Sequence, residues 1–311
     1  MKTIQWHPRF IKLDKALVYP VVLAIACSVS FTLTSCTSAP KSGAGQTLPG
    51  AKDGSAIVIQ GSDTMEALMQ KWSNDFMASK PGLQIAVKDG DTGIGIDDLL
   101  TGKIDLAAAS REITEAENKA AHSRGVHLKR LMVARDAIAI VVNPQNKLEE
   151  IDLDDLAKIY LGEIITWKQL RKDLAAEPIR AFGREATSGT SDYFQEHVLA
   201  AKPFAAVVKV MPSSEALIGA VMGNRLAIGF VGMAQAAKAT DKVKVLKLKL
   251  TEHSPESKQG GSLSGSDYPL SRPLYVYYNQ ANEERVGKFV SFCLSDEGQK
   301  SVKAMGFMSA H

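Results

Sequence analysis

The sequence predicts an α/β protein of two lobes, each a mainly parallel sheet flanked by helices, with the lobes joined by two crossing segments. Three observations lead there. Short apolar runs alternate with longer stretches of helical periodicity, the pattern of strands covered on both faces. The alternation gives way to a long β-rich run from Leu131 to Val142 and restarts at Ile151. Four strands end in loops of Gly, Ser, Thr and charged residues, and three of those loops open a helix.

Taken in order, Ala56 to Ile59 reads as the first strand. It breaks at Gly61-Ser62-Asp63-Thr64, and Met65 to Ser79 then places Leu68, Trp72 and Phe76 at helical spacing. Leu83 to Val87 is a second strand, broken at Asp89-Gly90-Asp91-Thr92-Gly93 before a short helix ending at Leu100. Asp105 to Ala109 is a third, broken at Ser110-Arg111, and His122 and His127 flank what reads as a loop. After Asn143-Pro144 stops the long run, Leu153 to Leu161 is helical and Ile179 to Phe182 is a strand. Gly183 to Thr190 is the fourth loop, followed by a helix over Ser191 to Leu199. Val207 to Val210, Ala227 to Val231 and Tyr275 to Tyr278 are further strands, and Glu283 to Met305 is mainly helical. Lys242, Lys244, Lys247 and Lys249 alternate with apolar residues up to Leu250, as in a strand with one solvated face. Residues 255–267, rich in Ser, Gly and Lys, read as a surface loop. The chain is expected to leave one lobe near 136 and return near 270. The lobes are then 56–135 with 270–311, and 136–269.

The first 55 residues stand apart from this pattern. Lys2, Arg9, Lys12 and Lys15 precede an uncharged apolar run from Ala16 to Leu33, which exits through Thr34-Ser35 to Cys36. A basic start, an apolar middle and a small-residue exit read as an export signal over 1–35. A plain membrane anchor is the alternative, since the run is about long enough to span a bilayer. The position of Cys36 favours the first reading, because it resembles the lipid-attachment box of bacterial lipoproteins, with Cys36 the lipidated residue. Residues 36–55, poor in large apolar side chains, are expected to be a flexible tether. Thr37 rather than Asp follows Cys36, which in a cell with two membranes points to the outer one.

Charge narrows the function classes. The chain has 37 basic and 34 acidic residues, but without residues 1–35 it carries 33 of each. A neutral body excludes a broad basic face for nucleic acid, and an anion site has to be local, built from dipoles and a few side chains. Of the three cysteines, Cys27 lies in the signal and Cys36 at its end, so Cys293 has no partner for a disulfide. The histidines show no metal-ligand spacing.

The four loops supply such a site. A helix N-terminus leaves backbone N–H groups without partners and carries a partial positive charge, which suits an anion. Ser62, Thr64, Ser188 and Thr190 are each ordinary capping residues when considered singly. Together with Arg184, whose planar guanidinium can hold two oxygens of one oxyanion, they read as a ligand site. Gly189 would let the backbone come close to that ligand.

Several stretches extend the pattern: Gly61-Ser62-Asp63-Thr64-Met65, Thr92-Gly93-Ile94-Gly95-Ile96, Ala108-Ala109-Ser110-Arg111, Arg184 to Thr190, Ala227-Ile228-Gly229-Phe230, Tyr268 to Leu274, and Ser295 to Gln299. In this order and spacing, over roughly residues 56–310, the chain resembles the phosphate-binding proteins of bacterial ABC-type phosphate importers, the PstS family. The resemblance implies a type II periplasmic binding fold closing over inorganic phosphate. It implies ligand contacts from Ser62, Asp63, Thr64, Met65, Thr92, Ser110, Arg111, Arg184, Ser188, Gly189 and Thr190. It also implies a monomer handing phosphate to a membrane permease and its ATPase, with no cofactor, metal or catalytic residue, outside the cytoplasm in the periplasm or at the cell surface.

There are two departures. Some family members have Asp, which accepts the phosphate proton, where this chain has Arg111, and some have Asp at the position of Ala186. The proton acceptor is thus open, with Asp63 ahead of Asp91 and Asp91 ahead of Glu185. Rival readings are a binder of sulfate or molybdate, a phosphate-sensing lipoprotein, and a phosphate-ester hydrolase using Ser62 or Ser188. Against the last, the chain has no Gly-x-Ser-x-Gly and no Walker-type loop.

Overall fold

The computed structural model describes residues 56–249 and 268–310, all within one folded unit. The expected signal, the tether with Cys36, Leu250 and the 255–267 loop lie outside the described residues.

The first half begins with β1 (Ile57–Gly61), α1 (Asp63–Ser79), β2 (Ile85–Lys88), α2 (Thr92–Leu100), β3 (Leu106–Ala109) and α3 (Glu115–Ser123). The long strand β4 (Leu128–Val142) leads out of it. Next come β5 (Glu150–Asp152), α4 (Leu153–Tyr160), α5 (Trp167–Leu170), β6 (Arg180–Arg184) and α6 (Gly189–Leu199). They are followed by β7 (Lys209–Met211), α7 (Ser214–Met222), β8 (Ala227–Gly232), α8 (Met233–Ala237), β9 (Lys244–Val245) and β10 (Lys247–Lys249). The chain returns on β11 (Ser271–Asn279) and ends with α9 (Glu283–Leu294) and α10 (Asp296–Ala304).

Hydrogen bonds order the main sheet β2-β1-β3-β11-β4-β8-β6-β7. β1 pairs in parallel with β2 and β3, and β6 in parallel with β7 and β8. The two long strands join these parallel sets. Residues 128–137 of β4 pair antiparallel with β11, and Ile138 to Val142 pair antiparallel with β8.

Burial on both faces explains the continuous apolar runs. On β3, Leu106 and Ala108 face a core with Trp72 and Phe289, while Ala107 and Ala109 face another with Ile96 and Leu99. On β4, Ile138, Ile140 and Val142 pack with Tyr160, Phe194 and Phe230, while Ala139 and Val141 pack with Leu217 and Val221. Each half thus has its own pair of cores, and β4 and β11 run between them.

Two local readings need correction and one gains detail. His122 lies in the last turn of α3, not in a loop, and its Nδ1 is 2.7 Å from the Asn118 carbonyl oxygen. The stretch 283–305 is mainly helical as expected, in two helices, because Ser295 ends α9 and caps α10 through Gly298 N–H. The lysine-rich strand is broken too: Val245 and Leu246 are consecutive apolar residues, so the alternation slips by one. The chain changes partner there, β9 pairing with β4 and β10 with β5.

Candidate functional site

The carboxyl ends of β1, β3 and β6 point at one region, and α1, α2, α6 and α7 begin around it. In open parallel sheets ligands bind at such strand ends. The first N–H groups of each helix have no intrahelical carbonyl. Gly61 makes the approach possible in the first half, at φ 140° with any Cβ only 2.1 Å from the Ala108 carbonyl oxygen. β1 and β3 therefore close tightly beneath α1 and α2.

Hydroxyls from both halves meet here. Thr64 Oγ1 of α1 lies 3.2 Å from Thr190 Oγ1 of α6. Thr92 Oγ1 accepts the Ser110 N–H at 3.1 Å and lies 3.4 Å from Ser110 Oγ. Gly189 sits against this pair, where a Cβ would fall 2.5 Å from Thr92 Oγ1 and 2.6 Å from Ser110 Oγ. Ser188 Oγ caps α6 by accepting from Ser191 N–H. Ser62, Thr64, Thr92, Ser110, Ser188 and Thr190 are all buried. Among the described residues Ser62 Oγ has no hydrogen-bond partner. The structure thus gathers most of the residues expected from the sequence. Met65 differs, its side chain being in the first-half core and its N–H donating to the Ser62 carbonyl at 2.9 Å.

The two arginines expected at the site are held by protein groups. Arg184 is fully buried, and all five of its N–H groups donate: to Met211 O, Asp63 Oδ2, Ser214 Oγ, Asp91 Oδ1 and Pro212 O. Its contacts to the two aspartates, 2.6 and 2.8 Å, cross from the second half to the first. Direct fork binding of an oxyanion was the expectation for Arg184, but here the fork is filled because two carboxylates converge on it from the facing loops. Arg111 also crosses, with Nε 2.6 Å from Asp192 Oδ2 on α6 and its terminal nitrogens on both Glu117 oxygens.

These contacts tune the carboxyls. Burial pushes the Asp91 carboxyl up, against the pull of Arg184. Burial also raises Asp192, again opposed by Arg111. At Glu117 burial acts upward, but hydrogen bonds from Arg111 and Thr114 win and hold the carboxyl below its ordinary value. Asp91 uses both oxygens, accepting from Arg184 and from Thr187 Oγ1. The side-chain hydrogen bonds of Asp63 among the described residues, from Arg184 and the Ser214 N–H, fall on Oδ2. Neither of these hydrogen bonds uses Oδ1. Glu185 is exposed.

Two residues were missed by the sequence reading. Arg272 on β11 is completely buried and donates to Thr190 Oγ1 at 2.9 Å, Thr64 Oγ1 at 3.1 Å and Asp136 Oδ2 at 3.2 Å. Asp136 on β4 is its cross-strand partner. The signal available was Arg272 as the one charge in β11; Asp136 shares β4 with Lys129, Arg130 and Arg135 and does not stand out.

Comparison with known proteins agrees with this geometry. A model described as a PBP superfamily domain matches residues 37–297. The phosphate-binding protein PstS of Staphylococcus aureus strain USA300 is 28% identical over 262 residues, covering 83% of this chain and 77% of that one. A Clostridium perfringens protein assigned to a phosphate ABC transporter, solved with bound phosphate, superposes with a TM-score of 0.71 at 28% identity, covering 82% of this chain and all of that one. An ABC-type phosphate transport receptor from Vibrio cholerae gives 0.62 at 26% identity, covering 81% and 99%. The family resemblance and the type II periplasmic binding fold expected from the motifs are borne out by these matches. With one domain model spanning most of its length and two parallel-stranded halves joined by crossing strands, the chain belongs to the PBP superfamily.

Proposed function

We propose that this protein binds inorganic phosphate between its two halves outside the cytoplasm and delivers it to the permease and ATPase of an ABC-type importer. One observation carries the reading: Thr64, Thr92, Ser110, Ser188 and Thr190, from both halves and beside three helix N-termini, converge next to buried Arg184 with its partners Asp91, buried, and Asp63, half-buried. Donors of this kind suit a tetrahedral oxyanion. The carboxylates suit one that still carries a proton, and Asp63 Oδ1 is the acceptor we assign to it. A site that pairs a ligand O–H rejects the ligand lacking it by large factors.

Capture follows from the crossing strands. Bending at β4 and β11 opens the halves, ligand bridges the two sets of hydroxyls, and the Arg184 and Arg111 ion pairs close over it. No bond is made or broken, so no nucleophile or cofactor is assigned; Ser62 serves as a donor, and Ser188 as a donor and cap. We assign residues 56–135 with 270–311 to one lobe and 136–269 to the other, acting as a monomer tethered to a membrane by lipid on Cys36.

Thermal unfolding of the purified full chain tests this. Phosphate at a hundred times its Kd stabilises by about 2.7 kcal/mol. A large shift with phosphate and none with sulfate is expected. An equal shift with sulfate or molybdate would keep the fold and discard the ligand, and phosphomonoester turnover lost in Ser188→Ala would favour the hydrolase.

A further inference from the structure

We infer that Arg272, anchored by Asp136, is a positioning residue that fixes the Thr64 and Thr190 hydroxyls as donors toward the bound anion. The inference rests on the oxyanion-binding reading above and deepens it. A guanidinium has five N–H donors and no acceptor. Each N–H it gives to a threonine oxygen occupies a lone pair there, so the hydroxyl hydrogen has to point elsewhere. Arg272 does this to two threonines at once, one from each half, whose oxygens are 3.2 Å apart. One of the two hydroxyls donates to the other at that distance, and an anion oxygen placed against both replaces that bond and meets two hydroxyl donors.

The support for Arg272 comes from the crossing strands themselves. Arg272 on β11 stands opposite Asp136 on β4, one residue before β4 changes partner from β11 to β8. Asp136 Oδ2 accepts from the guanidinium at 3.2 Å, and its Oδ1 faces Ala234 N–H at 3.5 Å. A Cβ on Gly232 would come within 2.7 Å of Asp136 Oδ2 and 3.1 Å of Thr64 Cγ2, so the end of β8 packs directly against both side chains. Both side chains are buried, and Arg272 Nε has no hydrogen-bond partner among the described residues. Burial pushes the Asp136 carboxyl up, against the pull of Arg272. An ion pair this deep is costly to desolvate, and apolar replacements of similar volume are often as stable. Its placement between two ligand-facing threonines gives it a role that stability alone does not.

Calorimetric titration of the full chain with phosphate, sulfate and arsenate tests this in four variants. Arg272→Met with Asp136→Leu removes both charges without leaving one unpaired, and Arg272→Lys keeps the charge but not the fork. Thr190→Val, made in the wild type and in the double variant, measures coupling. The double variant is expected to unfold cooperatively near the wild-type temperature while its phosphate Kd rises about tenfold to a hundredfold, the scale of hydrogen bonds to a charged group. Arg272→Lys should recover only part of the loss, and Thr190→Val should cost much less in the double variant than in the wild type. If the double variant binds phosphate as tightly as the wild type, or the two losses simply add, the positioning role is wrong while the phosphate reading stands. If the wild type prefers sulfate, the phosphate reading falls and the same cycle is read on sulfate. Binding of none of the three anions by the wild type overturns both.

Discussion

Gly189→Ala asks whether the two halves must touch at the site for ligand to be held. A methyl at this position would sit 2.5 Å from Thr92 Oγ1 and 2.6 Å from Ser110 Oγ, well inside contact distance. Both neighbours belong to the first half and Gly189 to the second, so the methyl acts as a wedge between halves and leaves each half's own core alone. Gly189 has no positive φ, so alanine adds no backbone strain at the start of α6. Overpacking of this size costs about 1–3 kcal/mol, here charged to the closed arrangement. Phosphate Kd should therefore rise about fivefold to about 150-fold. Gly219→Ala is the control, since it lies within α7 with nothing near its Cβ, and should stabilise by up to about 1 kcal/mol with Kd unchanged. Calorimetric titration with phosphate and a melt without ligand read both quantities. A Gly189→Ala protein that melts like the wild type and binds phosphate within twofold of it would refute the argument that closure runs through this contact.

Three further outcomes follow from the same geometry. Arg184→Met leaves buried Asp91 beside half-buried Asp63 without a cation, so urea denaturation should show a loss of about 3 kcal/mol and phosphate should no longer shift the melt. Arg111→Ala cuts the tie between Asp192 on α6 and the first half; stopped-flow displacement should show phosphate leaving about tenfold faster with little change in association. The Asp91 carboxyl has its folded pKa raised above the ordinary 3.8, so its contribution to stability is fully present below the unfolded pKa and is lost as pH rises through the folded one. Asp91→Asn should remove that fall, which melts of both proteins from pH 3.8 upward would measure; parallel curves would assign the pH dependence to another group.

Much of the fold was legible because its strands are buried on both faces, which writes itself as unbroken apolar runs such as Ala227 to Val231. Four helices escaped: α5 and α8 span only four and five residues, and the two longer ones escaped for different reasons. α3 buries only Ala121, so it carries no apolar period, although the Thr114–Glu117 capping box marks its start. α7 does carry Leu217, Ile218 and Val221 behind the Ser213 cap, and the signal was there to be read. At the site, the hydroxyls were found because each lies in a break directly after a strand, Gly-rich in every case but that of Ser110. Arg272 and Asp136 were not, since their meaning depends on the register of β4 against β11 and on threonines far away in sequence. The same distance in sequence hid the fate of Arg184, whose carboxylate partners are 121 and 93 residues away.

The charges around the site bear on how a neutral body would select phosphate. Arg184 faces two carboxylates, Asp63 and Asp91, and Arg272 faces one, Asp136, so with all five ionised the set carries one net negative charge. An incoming oxyanion gains from helix N-termini and fixed hydroxyls, but it also meets the Asp63–Asp91 pair at close range. A fully ionised ligand such as sulfate has only repulsion to offer a carboxylate, whereas a ligand bearing a proton converts that contact into a hydrogen bond. The arginine therefore contributes less by attracting the anion than by holding two carboxylates where one of them can take the ligand's proton. On this argument Asp63→Asn should narrow the gap between phosphate and sulfate by weakening phosphate and strengthening sulfate. A variant that lost affinity for both in equal proportion would mean that Asp63 only holds Arg184 in place.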